Sequence, residues 1–152
     1  MIASPTDSDA RFLCDTSVLF AASDTAHEHH AASLALIGTA SPDRAFCAAH
    51  TLAELYASLT ATPPPRMRRT ADVFANVDHA AQVFTPVPLD LDDYRWVLRH
   101  VAELGVRSGQ VYDALILKAA ERARVETVYT WNVAHFRRVA WAAMIGRIRE
   151  PR

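Results

Sequence analysis

Lysine is almost missing from this sequence. Lys118 is the only one among sixteen basic residues, and the rest are arginine. Arginine is the better bidentate ligand for phosphate, but an arginine- and alanine-rich usage also follows from genome composition, so the bias alone assigns nothing. No sign of charge dominates. Seventeen acids against sixteen bases leave a net charge of −1, so a polyanion has to find a local basic patch rather than a global field. Cysteine is scarce too. Cys14 and Cys47 sit in separate apolar runs with no C-x-x-C, which argues against a zinc ribbon or a disulfide framework and for buried thiols in a reducing, cytoplasmic protein. No run reaches the roughly 18 apolar residues of a membrane span. The start, MIASPTDSDAR, is polar and acidic rather than signal-like, and residues 1–10 read as a loose leader. None of the four glycines belongs to a phosphate-cradling loop, which argues against triphosphate chemistry.

What is present is a 152-residue chain that is 51% hydrophobic and 22% charged, room for one domain with a real core. Residues 11–149 read as that domain and 150–152 as a tail. Residues 11–15 predict a short buried strand, and Thr16 or Ser17 a helix cap. A helix runs to about Ile37, a strand spans 45–48, and a helix spans 50–60 with Leu52, Leu55, Tyr56 and Leu59 on one face. TPPPR (62–66) is a hard break. A helix from Met67 to Asp78, a strand from Val83 to Val87 and an amphipathic helix over 89–105 follow. The helix from Ser108 or Gly109 to Arg124 is apolar nearly all round and reads as central. A strand over 126–131, a short helical piece over 133–136 and a terminal segment that either pairs or frays complete the chain. Strands alternating with helices imply a mostly parallel sheet covered on both faces, an α/β class.

Ligands of such sheets sit beyond the carboxyl ends of the strands. Asp15 is the one charge in FLCDTSVLFAA and lies at that end of the first strand. An ionised carboxylate in apolar surroundings needs compensation. Glu54 is the only acid of AAHTLAELYASLT and falls beside the small residues Ala57 and Ala61. Asp113 stands in the first turns of GQVYDALILKAA, with Lys118 nearly opposite. Each has a structural reading as well: Asp15 as a helix cap, Asp113 as a helix-dipole partner, Glu54 as a plain exposed acid. Together they point to a carboxylate cluster, and crowded carboxylates call for a cation such as magnesium or manganese.

Four pieces, LCDTSVLFAA (13–22), TLAELYASLT (51–60), GQVYDALILKAA (109–120) and TWNVAHFRRV (130–139), resemble in order and distance the PIN-domain family, above all its small VapC-like toxin ribonucleases. The resemblance spans nearly the whole chain and implies a three-layer α/β/α sandwich. It makes Asp15, Glu54 and Asp113 the metal-holding acids, with Asn132 as the fourth catalytic position, often aspartate in the family. Asn132 lowers the site's negative charge by one and puts a second metal in doubt. Ser17 and Thr130 match supporting positions that steady the acids. The implied function is a Mg2+- or Mn2+-dependent endoribonuclease, toxin of a type II pair. Its implied partners are RNA, a small antitoxin whose tail fills the groove, and a second copy in a homodimer. The alternatives are a weak or inactive RNA-binding module that keeps the fold, and an aspartyl-phosphate phosphatase. The second wants D-x-D after the first strand, where residue 17 is serine.

Other features carry competing readings. His27 and His30 in DTAHEHH (24–30) have i, i+3 spacing for a transition metal, against a plain exposed helix start. The acids of PLDLDDY (88–94) read as N-terminal capping. PPPRMRR (63–69) and FRRV (136–139) are short basic patches for phosphates, a partner or water, with Arg137 and Arg138 favoured because they follow the Asn132 strand end. Tyr56, Tyr94, Trp96, Trp131 and Trp141 read as core or interface residues.

Overall fold

The alternation of side chains along two short strands decides how the molecule is layered. In β1 (Phe12–Cys14), Phe12 and Cys14 point into one core and Leu13 into the other. In β2 (Ala45–Ala48), Ala45 and Cys47 join the first core while Phe46 and Ala48 join the second. Both faces are therefore apolar, as a parallel sheet covered by helices requires. The computed structural model describes residues 10–152, so the expected leader lies outside the described residues except for Ala10.

After β1 come α1 (Thr16–Ser23) and α2 (His30–Ile37), and after β2 come α3 (Ala49–Thr60) and α4 (Thr70–Val83). Then follow β3 (Thr85–Val87), α5 (Leu91–Glu103), α6 (Gln110–Arg122) and β4 (Thr127–Tyr129). The chain ends with α7 (Val133–Val139), α8 (Ala142–Ile145) and β5 (Ile148–Arg149). The sheet order is β3-β2-β1-β4-β5, and every pair is parallel. One layer packs Val18, Leu19, Leu55, Leu59 and Val73 of α1, α3 and α4 on the sheet. The other packs Val97, Val101, Leu115, Ile116, Phe136 and Met144 of α5 to α8. This is the expected α/β/α sandwich, and the described residues contain no helix long and apolar enough to cross a membrane.

Several boundaries differ from the sequence reading. α4 starts at Thr70, after Arg69 folds both guanidinium donors onto Asp72 (2.8 and 2.9 Å), and runs on to Val83. Ala80 and Val83 pack on the core there, so the third strand begins only at Thr85. α7 extends to Val139 because Phe136 and Val139 are both buried. The terminal segment pairs as β5 rather than fraying, and Pro151 beyond it is buried. Tyr56, Tyr94 and Trp96 are not core residues: they are 38, 37 and 40% exposed. Asp90 and Asp93 form the expected capping box at the start of α5, and Arg122 bonds to both. Both cysteines are free and buried.

Candidate active site

Strand order runs outward from β1 in both directions, so the chain switches direction between the carboxyl ends of β1 and β4. Such a switch point opens a crevice above the sheet. Asp15 leaves β1 there. It, rather than Thr16 or Ser17, is the N-cap of α1, with extended backbone at φ −82° and ψ 175°. Its Oδ1 accepts from the Ser17 amide (2.9 Å), the Ser17 hydroxyl (2.6 Å) and the Val18 amide (3.3 Å). Its Oδ2 accepts from Thr130 Oγ1 (2.9 Å) at the end of β4. Ser17 and Thr130 thus stand where the resemblance put the supporting residues. Each has a second task. Ser17 Oγ accepts from the Trp131 amide (3.0 Å), and Thr130 Oγ1 accepts from the Asn132 amide (2.9 Å). Two hydroxyls therefore bind the turn after β4 to the carboxylate after β1.

Glu54 reaches the same crevice from α3, where Thr16 Oγ1 donates to its Oε2 at 2.6 Å. Asp113 arrives from the first turn of α6. Asp15, Glu54, Asp113 and Asn132 line one cleft of about 790 Å³, together with Ser17, Phe20, His27, His29 and Trp131. No lysine or arginine lines it. The acids thus have no basic partner in the lining, and two of them are held above the ordinary carboxylate range. Burial pushes Asp15 up to about 6 against the pull of its four hydrogen bonds. Burial, then the charges of Asp15 and Glu54, push Asp113 up to about 7. A cation relieves both. Oxygen donors of this kind suit a small hard divalent ion. Among the described residues no group of three His, Cys, Asp or Glu side chains is placed to hold a metal ion by itself. The donor set therefore suits an ion that keeps several waters and takes only one or two carboxylates, as magnesium does.

Asn132 lies exposed at the cleft rim, and its side chain makes no cap bond to α7. The two candidate arginines separate. Arg138 lines a second hollow of about 650 Å³ with Arg107, Ser108, Gln110 and His135, and this hollow shares Asp113 with the first cleft. Arg137 lines neither.

The 63–69 patch is exposed, but its arginines are engaged within the chain, Arg69 with Asp72 as above. Arg66 pairs with Asp24 at 2.7 Å, and Arg68 bonds to the Ser23 carbonyl. His27 and His30 both use Nδ1 within the chain: His30 Nδ1 is bonded to the Ala21 carbonyl (3.0 Å), and His27 Nδ1 accepts from the His29 amide (3.1 Å). The sequence reading missed that His27 and His29 line the same cleft as the acids. It also missed Arg107 and His135, because isolated residues in different segments carry no pattern until the chain folds.

A parallel five-stranded sandwich with acids from β1, α3 and α6 converging at its switch point is the architecture of a PIN domain. The PIN domain family matches residues 12–142, and the chain belongs to that family. It is 36% identical over 111 residues to Ribonuclease VapC40 of Mycobacterium tuberculosis, covering 72% of this chain and 78% of that protein. Its fold is similar to a chain of the VapBC2 complex from Rickettsia felis bound to a promoter DNA fragment, with a TM-score of 0.63 at 15% identity over 91% of this chain and 97% of that one. It is likewise similar to a chain of FitAB bound to an IR36 DNA fragment, with a TM-score of 0.62 at 16% identity over 92 and 94% of the two chains.

Proposed function

We propose that this chain is a Mg2+- or Mn2+-dependent endoribonuclease, the toxin of a type II VapBC-like pair. One observation carries the reading: Asp15, Glu54 and Asp113 meet from three separate elements in one cleft that no lysine or arginine lines. The ribonuclease name of the 36%-identical relative supports the substrate. The two similar solved structures are toxin–antitoxin complexes on DNA and support a small antitoxin partner. A second copy in a homodimer and a cytoplasmic setting complete the proposal.

Asp15 and Asp113 would hold a divalent ion, which would supply a lowered pKa for an attacking water and charge to offset that building on the phosphate. The hydroxyls of Ser17 and Thr130 fix the plane of Asp15, so its carboxylate does not reorient on binding. Glu54, held at one oxygen by Thr16, orients or deprotonates the water. Asn132 donates its amide to a phosphate oxygen or a water at the rim. Arg138, with Arg107 beside it, holds a neighbouring phosphate of the strand.

Incubating the chain with structured RNAs tests this in magnesium, in manganese and in EDTA, beside Asp15→Asn. The expected result is cleavage that needs the ion and that the variant loses. Equal cutting by the variant, or cutting that survives EDTA, overturns it. RNA binding without cleavage in any metal replaces it with the inactive RNA-binding module.

A further inference from the structure

One wall of the cleft is made mostly of rings, with Glu28 beside His29 its one carboxylate (3.7 Å). His29 lies flat on Trp131, with centroids 3.8 Å apart and planes 8° from parallel. His27 continues the wall, 5.6 Å from His29 and edge-on to Phe20 at 6.0 Å. The wall is fixed from four sides. The Trp131 indole N–H donates to Ser33 Oγ at 2.9 Å, and its backbone amide donates to Ser17, which in turn donates to Asp15. The 24–29 loop is held at one end by Arg66 on Asp24 and at the other by His30 on the Ala21 carbonyl. His27 Nδ1 accepts from the His29 amide at 3.1 Å, which sets the ring's orientation.

A rigid core stack has no reason to open onto a cleft of carboxylates, yet His29 keeps 36% of its side chain exposed. Among the described residues no lysine or arginine joins this wall, so it offers a phosphate no fixed positive charge. It offers a base the flat faces of rings. Base–aromatic stacking is the common means of holding an unpaired nucleotide, and it accepts any base because every base has a π-face. Resting on the ribonuclease reading above, we propose that the His27–His29–Trp131 wall is a nucleobase subsite, which stacks one unpaired base of the RNA beside the carboxylates. A base inside a duplex cannot reach it without leaving its stack, so the subsite takes only an unpaired base.

The test is binding of a labelled oligoadenylate by fluorescence anisotropy, on the Asp15→Asn background so that the strand survives. His29→Leu covers the Trp131 indole with an apolar side chain that has no π-face. His29→Phe keeps a ring and removes both nitrogens. The Leu variant is expected to bind about tenfold more weakly, and the Phe variant to bind as the parent does. In a chain whose other tryptophans carry Trp96→Phe and Trp141→Phe, oligoadenylate is expected to quench Trp131 emission, whereas the matching RNA duplex leaves it unchanged. Equal binding by the Leu variant overturns the subsite. So does a Phe variant as weak as Leu, which would assign the role to the imidazole nitrogens. Thermal melts of both variants register any loss of folding. Cleavage by the chain with Asp15 restored separates the two ideas. If it cuts RNA in magnesium while the Leu variant binds normally, only the subsite falls. If it cuts nothing, the ribonuclease reading falls, and the binding data still decide the wall.

Discussion

Two flanks border the same carboxylates, and they are built in opposite ways. The ring flank, Phe20, His27, His29 and Trp131, is tied by Ser17 to Asp15 itself and lines the acid cleft without one lysine or arginine. The arginine flank, Arg107 and Arg138 with His135, meets the acids only through Asp113. Neither of its arginines belongs to an ion pair among the described residues. A fixed surface of rings recognises shape, and stacking on it depends little on salt. Unpaired arginines recognise charge, and their contribution falls as salt rises. A polyanion with flat bases has both properties at once, so the division of labour is itself an argument for a nucleic-acid strand across the acids.

The largest effect is expected where the flanks meet. Asp113→Asn removes an acid that both hollows share, and kcat is expected to fall about a thousandfold, with binding of RNA kept or improved as a negative charge is lost. A loss of less than tenfold in kcat would mean that the shared floor is not the reacting centre, and the two flanks would then border nothing in common.

Next comes the electrostatic strain of that floor. A carboxylate with a raised pKa in the folded state keeps its proton at a pH where the unfolded chain has lost it. Its full stability contribution is present below its ordinary value of 3.8 and is lost as pH rises through about 6 for Asp15 and about 7 for Asp113. For the buried Asp15 this amounts to about 3 kcal/mol lost by neutral pH. The metal-free Tm is therefore expected to rise as pH drops from 7.5 to 5. Magnesium binds the deprotonated acids, so its stabilising shift in Tm is expected at pH 7.5 and absent at pH 5. A metal-free Tm that falls steadily over that range would show that other carboxylates outweigh these two.

The arginine flank gives a smaller, sharper signature. Replacing Arg107 and Arg138 together by alanine is expected to raise KM about tenfold at physiological salt. It should also lower the slope of log affinity against log salt by about 1.4, two contacts to a single strand. Arg137→Ala is the matched control, because Arg137 precedes Arg138 in the chain yet lines neither hollow. The ring-flank variant His29→Leu must leave that slope alone. If it lowers the slope, or if Arg137→Ala does, the two flanks are not chemically distinct.

The three acids of the cleft could be picked out in the sequence, whereas of the flanks only Arg138 could, for one reason. Asp15, Glu54 and Asp113 each stand in a local setting that a charge does not suit, so one segment at a time marks them. The α/β layering was equally legible, because periods of two and of three to four residues are local. His29 on Trp131, by contrast, joins a loop after α1 to a turn after β4, and DTAHEHH read alone offers only a histidine-rich helix start. The PPPRMRR patch misled in the same way. Its charge is real, but Arg66 is spent on Asp24, a residue far away in sequence. α4 ran past its expected end because packing of Val83 on the core, not a local stop signal, sets its length.

The smallest expected effect concerns the one hydroxyl that joins floor and ring flank. Ser17 Oγ donates to Asp15 Oδ1 at 2.6 Å and accepts from the Trp131 amide at 3.0 Å. Ser17→Ala leaves a half-buried amide without its acceptor and removes one of the four hydrogen bonds that hold the Asp15 carboxylate. The expected loss is about 1 kcal/mol, a fall in Tm of about 3 °C for a chain of this size. Stability alone would not distinguish a tie from an ordinary hydrogen bond, so the informative readout is where the function moves. Loosening Trp131 frees the ring flank and not the arginine flank. Ser17→Ala is therefore expected to weaken oligoadenylate binding a few-fold while the salt slope stays at its parent value. Unchanged oligoadenylate binding together with the lower Tm would make Ser17 a helix-start residue only, and the ring flank would then be rigid without help from the acids beside it.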